Sequence, residues 1–176
     1  MRSETVVEHP RHRVFWAYRD QLPAAAATIE GIKGIEVVER EEQGKVVRLH
    51  NIWTGDSAIP AFAQRFMSME HQCWDDIAVW YEDSWRCEWN IKPRIFREAV
   101  ICIGTTRFVE EGPSRTRVVL TGELKVDVTH VRGVPDVMQE TLAPKIEKYI
   151  ISGVTPRIEA NNLAISEFLD AQRPKI

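Results

Sequence analysis

The chain has 176 residues, 44% of them hydrophobic and 28% charged, and a formal net charge of -3. That balance and length suit an ordinary globular protein with a single domain over 1–176. The mild negative charge gives no electrostatic footprint for nucleic acid. No apolar run approaches the roughly 18 residues of a membrane span, so no stable membrane insertion is expected.

Met1 to His9 is short, charged and β-prone, unlike a signal peptide. The three cysteines, Cys73, Cys87 and Cys102, are odd in number and widely spaced. This argues against a disulfide framework and for a reducing cytoplasm. There is no internal repeat and no low-complexity tract.

Glu4 to Glu8 reads as a short strand. Pro10 then opens a helix with Val14, Phe15, Tyr18 and Leu22 on its apolar face. Pro23 interrupts it, Ala24 to Ile29 reads as a second short helix, and Gly31 and Gly34 close the pair. Ile35 to Glu41 and Lys45 to Thr54 are strands joined at Glu42-Gln43-Gly44, with Glu39 to Glu42 as a solvated charge run. In the second, Val47, Leu49 and Trp53 alternate with Arg48 and His50. Ile59 to Met69 is ambiguous, with Phe62, Phe66 and Met69 at helical spacing.

Trp74 to Tyr81 and Trp85 to Ile91 form a hairpin that turns at Asp83-Ser84. In that register Glu82 faces Trp85, Trp80 faces Cys87, Ala78 faces Trp89, and Asp76 faces Ile91. One sheet face then carries Trp74, Asp76, Ala78, Trp80, Cys87, Trp89 and Ile91. A slip of one residue would invert it. Phe96 to Phe108 is the next strand, followed by a turn at Glu111-Gly112-Pro113-Ser114. From Val118 to Val128, Val118, Leu120, Gly122, Leu124, Val126 and Val128 point one way, and Val119, Thr121, Glu123, Lys125 and Asp127 the other. That is the antiparallel pattern of one buried and one wet face. Gly122 in mid-strand signals a bend, a bulge or the close approach of another group.

Pro135 to Phe168 reads as a long C-terminal helix, bent or broken at Pro144 and Pro156. Met138, Leu142, Ile146, Ile150, Val154, Ile158 and Ile165 make an apolar stripe. The strands upstream supply the surface it needs, so Leu120, Leu124, Ile146 and Ile150 are expected in one core.

The order of strand, two short helices, antiparallel strands and a long last helix resembles the START-like (SRPBCC) superfamily. The likeness is carried by HPRHRVFWAYRDQLPAAAATIEGIKGIEVVERE, WYEDSWRCEWNIKP, FVEEGPSRTRVVLTGELKVDV and VPDVMQETLAPKIEKYIISGVTPRIEANNLAISEFL. The tryptophan-rich hairpin followed by a Gly-Pro turn is most similar to an uncharacterised bacterial, DUF2505-like branch. The pattern is one of apolar positions, not a catalytic signature, and Gly55 to Gln72 departs from it. The resemblance implies an α+β helix-grip fold. A curved antiparallel sheet wraps the long C-terminal helix, and two short helices after the first strand close one end. Such proteins often hold a cavity between sheet and helix. The superfamily includes lipid carriers, hormone receptors, polyketide cyclases and chaperone-binding domains, and fold alone does not choose among them.

The candidate ligand-binding residues are Trp74, Asp76, Trp80, Trp89, Phe108, Leu120, Leu124, Ile146 and Ile150. For the tryptophans two readings stand, cavity lining or packed core. Asp76 on an apolar face would have a raised pKa and serve as acid, base or polar anchor; at a sheet edge it would be solvated or paired with an arginine. His71 and Cys73 lack a second close ligand pair, so no metal is expected. His50 and His130 lack a nucleophile partner, Ser57, Ser68 and Ser84 sit in no nucleophile elbow, and no phosphate loop is present. No catalytic residue and no cofactor is assigned. The first functional reading is a carrier of an apolar or amphipathic small molecule. The second is a cyclase- or hydrolase-type enzyme using Asp76 in the same cavity. The third is a module that binds a protein partner. A buried polar cluster would favour the enzyme, a purely apolar cavity the carrier, and an exposed apolar patch the module.

Overall fold

The computed structural model describes residues 1–55, 73–94, 97–127 and 160–172, together with helical residues 141, 144, 145 and 148. The expected helix over Ile59 to Met69, and the stripe residues Ile146 and Ile150, lie outside the described residues. Seven strands form one antiparallel sheet: β1 (Arg2–Val7), β2 (Ile32–Gln43), β3 (Val46–Gly55), β4 (Cys73–Tyr81), β5 (Arg86–Pro93), β6 (Val100–Gly112) and β7 (Arg115–Val126). Their spatial order is β1-β7-β6-β5-β4-β3-β2. Register shifts in β2 and β6 mark bulges, which bend strands. With a C-terminal helix over 160–171 and short helices after β1, this is the helix-grip fold.

The short helices are α1 (Arg11–Asp20) and α2 (Leu22–Ala25), the latter running into a 3-10 turn at Ala26–Thr28. Pro23 therefore starts the second helix rather than standing before it. A residue without an N–H is tolerated in the first turn, where that N–H would have no partner. Gly31, at φ 77°, closes the helical segment as expected. Gly34 instead lies inside β2 beside a register shift, and β2 starts three residues before its expected beginning. β6 runs four residues beyond Phe108, because its bulge keeps the ladder with β7 intact to Gly112.

The β4–β5 register is the one expected, with Trp80 opposite Cys87, Ala78 opposite Trp89 and Asp76 opposite Ile91. The turn is longer than expected. The strands part after Tyr81 and rejoin at Arg86, and Trp85 leaves the ladder with a left-handed φ of 50°. A hydrogen bond from Phe108 N to Trp85 O, at 2.9 Å, holds it there. Its ring meets the edge of Phe15 and lies beneath the Arg11 guanidinium.

Phe15 is the centre of the packed end of the sheet. It is fully buried and meets Trp80, Trp85 and Phe108 edge to face at centroid separations of 5.3, 5.3 and 5.2 Å. Helix 160–171 adds Ala164, Ile165 and Leu169, all buried. Its Asn162 accepts from the Tyr18 hydroxyl and donates to Thr5 Oγ1 at 2.9 Å, which links α1, β1 and the helix through satisfied buried polar groups. Arg19 bridges Asp20 and Glu82 and so fastens α1 to the β4–β5 turn.

Phe15→Ala should cost roughly 3–5 kcal/mol, the range for removing a fully packed aromatic ring. Trp16→Ala, next in sequence but 47% exposed, should stay within about 0.5 kcal/mol. Urea denaturation giving equal losses for both would contradict this placement of α1.

Candidate functional site

Because side chains alternate along each strand, the registers define rows across the concave face. One row runs Asn51, Asp76, then Ile91 on β5, with Cys102 and Leu124 paired beyond it. The next runs Leu49, Ala78, Trp89, Gly104 and Gly122. A third runs Val47, Trp80, Cys87, Thr106 and Leu120. The face is not uniform. Trp80 and Phe108 are 6% and 3% exposed and belong to the aromatic cluster around Phe15. Trp74, Asp76, Trp89, Ile91, Leu120, Gly122 and Leu124 are only half-buried. Leu120 and Leu124 thus face the core side as expected without being sealed in it. Of the nine residues singled out from the sequence, the structure gathers Trp74, Asp76, Trp89 and Leu124 toward the half-open end. It places Trp80 and Phe108 in the packed end and half-buried Leu120 in the row of Trp80, while Ile146 and Ile150 are outside the described residues.

Trp89 explains both glycines of its row. An ideal Cβ on Gly122 would lie 2.7 Å from Trp89 Cη2 and 2.7 Å from Ile103 O. On Gly104 it would overlap Trp89 Cζ2 and the Thr121 carbonyl. The indole lies flat against a bare backbone, and its Nε1 donates to Thr106 Oγ1 at 3.1 Å. The close approach expected at Gly122 is therefore made by a tryptophan two strands away. Gly104 was not anticipated; its position opposite Gly122 is a fact of register.

Asp75 and Asp76 are adjacent in β4 and face opposite ways. Asp75, on the convex side, meets His50 Nε2 at 2.9 Å, Arg94 at 3.7 Å and Arg97 at 3.8 Å. Burial alone would raise its pKa, but the His50 hydrogen bond and the charges of Arg94, His50 and Arg97 together hold it below the usual carboxylate range. Asp76, on the concave side, has its pKa raised by burial, only partly offset by hydrogen bonds from Asn51 Nδ2 and Trp53 Nε1, each at 3.3 Å to Oδ2. Asp75 is buried at 6% exposure beneath its partners, whereas Asp76 keeps some reachable surface. Trp53 stacks on Trp74, centroids 5.9 Å apart and planes 21° from parallel, and this pair walls one side of Asp76. Asn51 and Trp53 went unremarked as site residues, though the inward parity of Val47 and Leu49 extends to both.

Cys102 and Cys87 lie on the same side. Burial and the nearby Asp76 charge push the Cys102 thiol up to about 11, and burial drives Cys87 up as well. Both stay protonated at neutral pH and are poor nucleophiles. Among the described residues the concave face thus carries several aromatic side chains and one carboxyl with its two N–H donors. On the convex face, the exposed Ile77, Ile101 and Ile103 are interleaved with Asn90, Lys92, Glu123 and Lys125 rather than forming a continuous patch.

No known family model and no curated relative matches this sequence. Solved structures do resemble its fold. The Thermus thermophilus protein TTHA0849 is 18% identical with a TM-score of 0.61, covering 98% of each chain. A Streptomyces aromatase/cyclase, Zhui, is 18% identical with a TM-score of 0.65, covering 97% of this chain and 92% of its own. Norcoclaurine synthase from Thalictrum flavum, in complex with dopamine and hydroxybenzaldehyde, is 12% identical with a TM-score of 0.59, covering 99% and 88%. At these identities the likeness is one of fold.

Two outcomes follow. Gly122→Val should lower the melting temperature despite valine's β propensity, and should cost less in a Trp89→Ala background, where the ring is gone. Additive losses in the double mutant would show that the two do not touch. The carboxyls should act oppositely. The native state keeps the proton of Asp76 to higher pH than the unfolded chain does. Stability therefore falls as pH rises from the unfolded value toward the native one, and Asp76→Asn should raise the melting temperature at neutral pH. Asp75 contributes stability above its unfolded value that is lost as pH falls through its native one. Asp75→Asn should therefore destabilise at neutral pH, with the difference fading in acid. Shifts of the same sign at neutral pH would refute the assignment of faces.

Proposed function

We propose that the protein binds an apolar or amphipathic small molecule, lipid- or polyketide-like, against the half-open concave face, acting in the cytoplasm without membrane insertion. The observation that carries this is a concave face with half-buried Trp74 and Trp89 and, among the described residues, one inward carboxyl, Asp76. Ligand sites combine apolar walls with a few placed polar groups. Of the proteins that share the fold, one is named an aromatase/cyclase and another is seen with two small aromatic molecules. No helix among the described residues is long and apolar enough to cross a membrane. We place the chain in the START-like superfamily and, on its tryptophan-rich hairpin and Gly-Pro turn, in the DUF2505-like bacterial branch. Leu120 and Leu124, with Ile146 and Ile150 of the C-terminal segment, complete the proposed apolar lining. Trp80 and Phe108 support it from the packed end.

A second reading is favoured by Asp76 itself. A carboxyl with a raised pKa is suited to proton transfer, so the same face would serve a cyclase- or hydrolase-type reaction with Asp76 as its acid.

A solvatochromic naphthalene probe should bind and quench tryptophan fluorescence, and native mass spectrometry of purified protein should show any retained ligand as added mass. Trp89→Ala should weaken the probe by about tenfold, near 1.4 kcal/mol. Failure of every apolar probe to bind would reject the ligand face. If the face is catalytic, Asp76→Asn should cut turnover of a polyketide-like substrate by roughly 10²–10⁴-fold with binding retained.

A further inference from the structure

Building on that ligand face, the surroundings of Asp76 indicate which ligands it takes. Oδ2 accepts both available N–H groups, from Asn51 and Trp53. Among the described residues nothing donates to Oδ1, and no cation lies within ion-pair distance of Asp76, while its neighbour Asp75 has Arg94, Arg97 and the His50 ring. Among the described residues, the ionisable groups that interact with Asp76 are the thiols of Cys87 and Cys102, and His50, which turns to the other face to meet Asp75. Burial in an apolar wrap without a cation pushes a carboxyl toward its protonated form. With Oδ2 already accepting two hydrogen bonds, the proton belongs on Oδ1. The wall beside it is the Trp53 indole, stacked on Trp74.

We propose that Asp76 presents Oδ1 as a hydrogen-bond donor, and that the face selects flat, uncharged ligands bearing a carbonyl oxygen, such as aromatic ketones or quinones, over amines of the same shape. A ketone oxygen accepts that hydrogen and leaves the ring free to lie on indole. An ammonium group would need Asp76 charged, with no cation among the described residues to help hold that charge before the ligand arrives. A hydrocarbon would leave the O–H without a partner in an apolar setting, which is costly.

The test uses three probes of one shape: methyl naphthyl ketone, ethylnaphthalene and naphthylethylamine. Their affinities are measured at neutral pH by tryptophan quenching for wild type, Asp76→Asn and Asp76→Leu. Wild type should bind the ketone about five- to tenfold more tightly than the hydrocarbon, the span of one net hydrogen bond, and the amine least. Asp76→Asn should keep the ketone preference within about twofold, since an amide offers one oxygen to Asn51 and Trp53 and an N–H to the ligand. Asp76→Leu should level ketone and hydrocarbon. The infrared carbonyl stretch of bound ketone should move to lower frequency in wild type and Asp76→Asn, a readout that a merely structural role would not change. Equal ketone and hydrocarbon affinity in wild type, tightest binding of the amine with its loss in Asp76→Asn, or an unshifted carbonyl stretch would each overturn the donor assignment while leaving the ligand face standing. Binding of none of the three would overturn the ligand face and the donor together.

Discussion

The two-residue period of the β4 pleat is the constraint from which the site follows. It sends Asp75 to the convex side, where His50, Arg94 and Arg97 meet it, and Asp76 to the concave side with its apolar groups, although the two share a peptide bond. Each carboxyl is then governed by the dielectric and partners of its own side. A one-residue slip against β3 would exchange them. It would set Asp76 among His50, Arg94 and Arg97 and bury Asp75 beside Trp53. Register is therefore held from both sides by electrostatics as well as by the burial of Leu49, Ala78 and Trp80.

The concave face divides its labour along the strands. At one end, α1 and the helix over 160–171 press Phe15, Tyr18, Ile165 and Leu169 onto Trp80, Phe108 and Val118, with the polar atoms of Tyr18, Asn162 and Thr5 satisfying one another. At the other, Trp74, Trp89 and Leu124 keep part of their surface. Trp89 joins them: its ring rests on the two glycines of the open part, while its N–H is fastened to buried Thr106 beside the closed part.

Local pattern was legible in the sequence, and placement across the sheet much less so. Alternation and turn residues were enough to pair Trp80 with Cys87 and Asp76 with Ile91, because a hairpin's register is set within a few residues. They also put Trp74, Asp76, Trp80 and Trp89 on one face. Parity could not separate Trp80 from Trp89, since that depends on where α1 docks, a tertiary contact between Phe15 and strands far along the chain. Asn51 and Trp53 as partners of Asp76 needed the β3–β4 register, whose connecting segment is long and ambiguous in pattern. Gly122 announced a close approach by being small, yet nothing local named Trp89 as the group that fills the space. The left-handed Trp85 was hidden for the converse reason: a bulky residue there runs against backbone preference, and it is held by contacts with Phe15, Arg11 and Phe108 rather than by its own propensity.

The pairing of β1 with β7 bears on the order in which the molecule is made. From β2 to β7 each strand lies beside its neighbour in sequence, so that meander can grow hairpin by hairpin as the chain lengthens. β1 is the exception. The amino group of Met1 reaches the Gly122 carbonyl at 2.7 Å across 121 positions of sequence, and such distant pairings form slowly because the loop must close before the contact rewards it. During synthesis the first strand, and α1 attached to it, wait for the last strand to emerge. Phe15 and Tyr18 cannot seal their end of the sheet until then. The nascent chain thus carries an open apolar trough through most of its translation, the period when a chaperone has most to cover.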